Sequence, residues 1–168
     1  MHRNIQYKKW DFVGGKAVIA LAGCAMAILG VTSVTWVTAY GKEYTSLALA
    51  NYSAASGIYS YGILAASILG IIASAIAVFN PSSLYRKIIL ISGGLTILGW
   101  LGAVYHLSNT QQLWVSQYTY VVGSKALSSV GFYLPLLGGM FSLLAAASFE
   151  PHYKDETKDS DMSFIKYT

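Results

Sequence analysis

Ionisable side chains close to apolar segments are the first candidates for chemistry in this chain. His106 follows Tyr105 at the end of a long apolar run, and an imidazole there could transfer a proton or contact a quinone or a metal ion. An interfacial histidine that shares water with loop residues is the simpler alternative. His2 and His152 are too far away in sequence for the spacing to predict a metal or haem site. We therefore treat Tyr105 and His106 as candidate functional residues and predict no cofactor.

A single cysteine, Cys24, limits the sulfur chemistry of the chain. A disulfide and a thiolate metal cluster each need at least two cysteines, so this chain alone can form neither. Residues 21–24, Leu-Ala-Gly-Cys, resemble the lipobox of bacterial lipoproteins, which implies lipidation of the cysteine after signal cleavage. Because the apolar run continues through Val31, a small buried cysteine is the preferred interpretation. The sequence contains no phosphate-binding loop or nucleophile elbow, and we expect no enzyme.

Charged residues are concentrated at the chain ends and at short junctions. Only 11% of the 168 residues are charged and 55% are hydrophobic, whereas soluble domains carry about a quarter charged residues. A charge at the centre of a bilayer costs at least about 2.5 kcal/mol, which accounts for long uncharged stretches. The net charge of +4 comes from basic residues that flank apolar runs, so it indicates lipid headgroup contact rather than nucleic-acid binding. The uncharged stretches are residues 17–41, 44–85, 88–124 and 126–149.

Four segments are long and apolar enough to cross a membrane. A helix needs about 20 apolar residues to span a hydrocarbon core of about 30 Å. We therefore predict an all-α membrane protein, a four-transmembrane-helix bundle in residues 1–150, followed by a polar tail in residues 151–168. The predicted spans are residues 17–39, 59–79, 88–107 and 127–149.

The distribution of lysine and arginine predicts the orientation of the bundle. Nine of the 11 basic residues lie in the N-terminal segment, the loop between spans two and three, or the tail. Only Lys42 and Lys125 lie on the other side. Since basic residues favour the cytoplasmic side, both termini should be cytoplasmic, and we expect an integral protein of the plasma membrane.

The two outer segments, residues 40–58 and 108–126, are rich in tyrosine and nearly free of charge. Strand-forming residues dominate 113–122, and residues 44–55 could form a short interfacial helix. These loops either cap the bundle at the headgroup level or bind a partner, because uncharged aromatic loops resemble interface cores. Asn51 also begins an N-glycosylation pattern.

Small residues recur at intervals of four along three of the predicted spans. Such rows let helix backbones approach closely in lipid, where apolar burial gives no driving force for association. We expect them to pack the helices, within one chain more than between chains. Pro135 should kink or loosen span four, which could shape a cavity or a gate, although accommodation of the helix shape alone is the more common role. The predicted packing residues are Gly62, Ala66, Gly70 and Ser74, then Gly99 and Ala103, and finally Gly138, Ser142 and Ala146.

Four spans with both ends inside, two outer loops and a short inner turn resemble the layout of claudins and other tetraspan proteins. The resemblance is one of topology, because residues 40–58 contain neither the tryptophan nor the paired cysteines of the claudin first outer loop. Barrier or adhesion function therefore does not follow. A weak internal similarity links Trp36 near the end of span one with Trp100 near the end of span three, as a duplicated hairpin would.

Three functions fit these patterns. The preferred hypothesis is a non-catalytic membrane subunit or scaffold that packs with other membrane proteins or with itself. The first alternative is a small channel or transporter for an uncharged solute, with Pro135 and Gly138 shaping the path. The second is an accessory subunit of a quinone-linked respiratory complex, with Tyr105 and His106 near the quinone headgroup.

Overall fold

A computed structural model describes residues 3–39, 42–51, 54–80, 82–109, 113–115, 118–120 and 129–148. The predicted tail, residues 151–168, lies outside these ranges. Within them the chain forms mainly helices, with two short β-hairpins. The elements in chain order are α1 (Arg3–Thr32), β1 (Thr35–Ala39), β2 (Lys42–Thr45), α2 (Ser46–Ala50), α3 (Ala54–Phe79), α4 (Ser83–Asn109), β3 (Leu113–Val115), β4 (Tyr118–Tyr120) and α5 (Val130–Ala147).

Four of the helices, α1, α3, α4 and α5, are long and apolar enough to cross a membrane. The shortest apolar stretch, Val130–Ala147, has 18 residues. At a rise of about 1.5 Å per residue it is about 27 Å long, close to the thickness of a hydrocarbon core. The prediction of a multi-pass helical membrane protein is confirmed as far as the number, length and apolar composition of the helices are concerned.

The boundaries of the spans differ from the predicted ones. The first predicted span was too long, because Thr35–Ala39 forms strand β1 instead of helix. Its residues Thr-Trp-Val-Thr favour a strand, and pairing with β2 satisfies their backbone groups. The second and third spans begin earlier than predicted, and the fourth begins at Val130. Positions 127, 128 and 149 of the fourth predicted span lie outside the described residues.

Both outer segments contain an antiparallel hairpin, which corrects the all-α prediction. In the first, Val37 pairs with Tyr44, and a bulge interrupts the register beside Thr35. In the second, Trp114 pairs with Thr119, so the strand prediction within 113–122 is confirmed. The short helix expected within 44–55 is α2. It is N-capped by Thr45, whose hydroxyl oxygen accepts a hydrogen bond from a backbone N–H at 3.2 Å.

The four spanning helices form a ring in which each contacts its neighbours in sequence, and α1 contacts α5 to close the ring. Helices α1 and α4 lie on a diagonal and barely touch. The most extensive pairing joins α1 to α5, followed by α3 to α4. Because only residues 80–82 separate α3 from α4, these two helices must be antiparallel, as the sequence predicted.

The core has two differently built ends. The cluster toward the hairpins contains aromatic and branched residues and is centred on Phe132. The other cluster is nearly all alanine, so the helices lie close together there. The first cluster consists of Val31, Trp36, Val37, Leu49, Ile63, Ala103 and Phe132, and the second of Ala17, Ala20, Ala73, Ala77, Ile89, Ala145 and Ala146.

Glycine brings the backbones together in the middle of the bundle. A Cβ atom on Gly23 of α1 would lie 2.6 Å from the carbonyl oxygen of Gly138 on α5. A Cβ on Gly93 of α4 would lie 3.0 Å from the carbonyl oxygen of Gly139. The adjacent glycines of α5 therefore contact two different helices, one on each side of α5.

Candidate functional site

A small cavity lies where the first outer segment meets the spanning helices. It has space for the centre of about one water molecule, about 10 Å³. The first hairpin, α2, α3 and α4 all contribute to its wall. Its lining residues are Trp36, Ser46, Leu49, Ser56, Tyr59, Ser60, Ala103 and His106.

Trp36 anchors the hairpin side of this cavity. Its indole N–H donates a hydrogen bond to the carbonyl oxygen of Gly30 at 2.6 Å, which satisfies an acceptor in the last turn of α1. Its ring meets that of Phe132 edge-on, with centroids 5.0 Å apart. Trp100 of α4 contacts the same phenylalanine at 5.7 Å and donates to its carbonyl oxygen at 2.8 Å. The two tryptophans singled out in the sequence thus converge on Phe132 of α5.

A pair of buried serines fixes α2 against α3. The hydroxyl oxygens of Ser46 and Ser60 are 2.6 Å apart, and the Ser60 hydroxyl also lies 3.2 Å from the Ser46 carbonyl oxygen. Both serines are almost fully buried, at 1% and 3% exposure. Hydroxyl groups at such depth need partners, and each supplies one for the other. This contact holds a helix of only five residues in place.

The structure separates the two candidate residues at the end of α4. His106 lines the cavity, and its ring centroid lies 6.2 Å from that of Tyr59. Tyr105 is 72% exposed on the outside of the bundle and does not line the cavity. Consecutive helical residues differ in direction by about 100°, so they cannot share one small cavity. The expectation that Tyr105 and His106 act together is not met by this geometry.

The cavity wall is suited to hydrogen bonding with a small neutral molecule. It combines three serine hydroxyls, a phenol and an imidazole, and none of its lining residues is aspartate, glutamate, lysine or arginine. Its volume is far smaller than a quinone headgroup requires. In the described part of the chain no three His, Cys, Asp or Glu residues group as metal ligands would.

A second polar cluster lies in the middle of the bundle around Cys24. The Cys24 sulfur lies 3.3 Å from the Ser142 hydroxyl, and the Ser92 hydroxyl donates to the Ala66 carbonyl oxygen at 2.6 Å. Gly70 of α3 faces both Cys24 and Ser92. All four helices therefore meet at this level, and Cys24 is buried, as the preferred interpretation of the sequence expected.

Most of the predicted packing residues lie inside the bundle. Gly99 faces Ile63, and Gly138 faces α1. Gly62 differs, since it is exposed and a Cβ there would meet nothing within 4 Å, so of the two kinds of packing considered from the sequence only contact between chains is left for it. Ala66, Ser74, Ala103, Ser142 and Ala146 are all buried.

Pro135 is buried between α1 and α5 and does not line the outer cavity. A Cβ on Gly30 would lie 2.8 Å from its ring, so the proline fits against a bare backbone. Because proline lacks an N–H, it cannot donate to the carbonyl four residues earlier, at Gly131. Its place in the structure is a packing contact with α1, which agrees with the accommodation of helix shape preferred from the sequence.

Side-chain cations bind the carbonyl end of α5. Arg86 of α4 donates to the carbonyl oxygens of Ala146 and Ala147 at 3.1 and 3.3 Å, and Lys16 of α1 donates to that of Ser148. These carbonyls lie at the C-terminal end of α5, where the regular backbone hydrogen bonds of a helix run out, although the backbone N–H of Ser148 also contacts the Ala146 carbonyl oxygen. The cations therefore join three helices at the end of the bundle opposite the hairpins.

Sequence reasoning missed the glycines of α1. Gly23 and Gly30 are seven residues apart, and so are Gly131 and Gly138, which they face across the α1–α5 contact. A seven-residue spacing places residues on one side of helices that cross at a small angle. This shared spacing of seven residues is the sequence pattern that could have predicted the contact between α1 and α5.

The four spanning helices and the interior that they enclose define a multi-pass helical membrane protein. Comparison of the chain with protein-family models, curated proteins and solved structures finds no match.

Proposed function

We propose that this protein is a non-catalytic integral membrane subunit or scaffold that packs with a partner membrane protein or with a second copy of itself. The observation that supports this proposal is the close packing of the bundle interior. Its glycines bring neighbouring backbones into contact, and its buried hydroxyls bond to the backbone of adjacent helices. Such an interior gives a rigid support.

The basic residues supply the orientation in this proposal. Lys16, Arg86 and Lys87 lie at the end of the bundle opposite the hairpins. Basic residues favour the cytoplasmic side, so both termini are placed there and the hairpins face outward at the plasma membrane. Labelling of single cysteines, introduced at exposed Lys42 and exposed Lys87 in a Cys24→Ser background, tests this arrangement. Only the Lys42 position should react with a reagent that cannot cross the membrane.

Gly62 supports a partner contact through α3. It is exposed and has open space around it, so it contributes no contact inside the bundle. A bare backbone facing lipid allows another helix to approach closely. Gly94 of α4 provides the comparison: a Cβ there would also meet nothing within 4 Å, but Gly94 is half-buried and lies on a different helix, so it presents less bare backbone to a partner.

The test compares three forms of the full chain after mild detergent extraction: wild type, Gly62→Leu and Gly94→Leu. Quantitative mass spectrometry and chemical crosslinking identify what remains bound to each. The proposal expects a partner protein or a crosslinked dimer with wild type and Gly94→Leu, and a clear loss with Gly62→Leu. Equal recovery with all three forms would remove α3 as the contact, and a protein that is always alone and monomeric would refute the scaffold.

A channel for a small uncharged solute is the second candidate. Ser60, Ser67 and Ser74 of α3 are buried at intervals of seven residues, so hydroxyls follow the interior over about 21 Å. The Ser67 hydroxyl lies 3.4 Å from that of Thr96, while the Ser74 hydroxyl has no hydrogen-bond partner among the described residues. Solute flux into liposomes that contain only this protein would favour the channel over the scaffold.

An accessory subunit of a quinone-linked complex would need a larger binding site than the structure contains beside His106. The cavity beside His106 has space for about one water molecule, so a quinone headgroup would need α2 and the first hairpin to move away. A bound chromophore in the purified protein, lost in His106→Ala, would support that function. A scaffold predicts that partner recovery is unchanged in His106→Ala.

A further inference from the structure

We propose that the cavity beside His106 is a binding site for one ordered water molecule that links the first outer segment to both α3 and α4. The space, about 10 Å³ for the centre of the molecule, lies at the lower limit for holding a water. Larger polar ligands do not fit.

The cavity wall contains polar groups that could bind a buried water. A buried water needs two to four polar partners, and apolar cavities of similar size stay dry. Here the hydroxyls of Ser46 and Ser60 are both nine-tenths or more buried, and Tyr59 and His106 also line the cavity. Most of the lining surface is apolar, and Trp36, Leu49 and Ala103 contribute to it, so the polar contacts of a water are concentrated on a few groups.

The serine pair has capacity left for a further hydrogen bond. Each hydroxyl carries one hydrogen and two acceptor lone pairs. The bond between Ser46 and Ser60 and the approach of Ser60 to the Ser46 carbonyl oxygen use the hydrogens but leave oxygen lone pairs. A water donating to these oxygens completes their bonding, and its own oxygen accepts from another group in the wall.

The position of the site gives the water a structural role. Helix α2 has five residues, too few to be stable without tertiary contacts, and it touches mainly α3. The cavity wall adds His106 and Ala103 of α4 to this junction. A bridging water therefore joins the first outer segment to both α3 and α4. In this assignment His106 positions a water and is not a catalytic residue.

The experiment is water-edited solid-state NMR on the full chain in lipid bilayers, which measures magnetisation transfer from water to individual residues. Ser67 is an internal control, because it lies seven residues beyond Ser60 on α3, is fully buried, bonds to Thr96 and does not line the cavity. We expect transfer to Ser46 and Ser60 and none to Ser67. Transfer to Ser60 no faster than to Ser67 would overturn the proposal.

Two variants show whether the water occupies this cavity. Ala103→Val adds two methyl groups to the wall, so transfer to Ser60 should be lost. His106→Gln retains hydrogen-bonding groups and should keep the transfer, whereas His106→Leu should reduce it. The histidine variants provide the answer if Ala103→Val fails to fold. Transfer that persists in both Ala103→Val and His106→Leu would show that water reaches the serines by another route, and the assigned site would be wrong.

Discussion

Replacing Gly23 by alanine tests whether the α1–α5 contact is as close as the structure places it. The new Cβ would lie 2.6 Å from the carbonyl oxygen of Gly138, whereas ordinary van der Waals contacts begin at 3.4 Å. The obstacle is backbone, so no side-chain rotation can relieve it. The two helices must separate by about 0.8 Å locally, and overpacking of this kind costs about 1–3 kcal/mol.

Gly62→Ala is the matched control for this prediction. Both substitutions replace a glycine within a spanning helix, and both gain about 1 kcal/mol in helix propensity. The Gly62 Cβ meets nothing within 4 Å, so the difference between the two variants isolates the overpacking cost. We expect Gly62→Ala to be more stable than wild type and Gly23→Ala to be less stable than Gly62→Ala by about 1–3 kcal/mol.

The assay is reversible unfolding in bicelles, which gives the free energy of unfolding for the wild type and both variants. Gly94→Ala serves as a second control, since its position is also open. If Gly23→Ala proved as stable as Gly62→Ala, the close approach of α1 and α5 would not exist, and the argument that glycine packs this bundle would fail.

Three further predictions concern side chains that form hydrogen bonds with the backbone. Trp36→Phe removes the indole hydrogen bond to α1 and should lower the free energy of unfolding by about 1–3 kcal/mol. Trp100→Phe should lower it less, because Trp100 is only partly buried. Equal effects of the two variants would contradict this prediction. Arg86→Gln weakens the capping of α5 by about 0.3–1 kcal/mol, seen as faster amide exchange in its last turn; unchanged exchange would show that the contact is irrelevant. Thr45→Ala removes the cap of α2 and should raise amide exchange at Ala48 by about fivefold, for a loss of about 1 kcal/mol, while exchange in α3 stays constant.

The sequence predicted the spanning helices because bilayer thickness and the cost of buried charge act on each segment separately. The tight connection before Ser83 followed from Pro81, which cannot continue a helix. The end of the first span was harder to place. Thr35–Ala39 continues the uncharged run of α1, so hydropathy alone did not separate it from the helix, although its residues favour a strand and it pairs with β2.

The exposure of Gly62, at one end of the predicted row of small residues, has a geometric cause. Positions four apart on a helix advance by about 400°, so each step along such a row rotates about 40° around the axis. Between Gly62 and Ser74 the row turns by about 120°, and its two ends cannot face the same neighbour. The buried positions of α3 instead recur about every 3.5 residues. Ile63, Gly70 and Ala77, which are seven residues apart, therefore lie on one side of the helix.

The candidate site was only partly predictable. His106 stood out because ionisable groups are rare near the spans, but the serines that face it were unremarkable in sequence. Ser46 and Ser60 become a pair only because α2 folds back onto α3, which is a tertiary event. Likewise, nothing local to Phe132 indicated that two distant tryptophans would meet there.

The pairing of α1 with α5 has a consequence for biogenesis. A ribosome makes α1 first and α5 last among the four spanning helices, so the face around Gly23 has no partner until translation of the bundle is nearly finished. During that interval a nascent chain in the translocon exposes bare backbone to lipid or to the insertion machinery. The contact between α1 and α5 can therefore close only after α5, the last of the four, has been inserted.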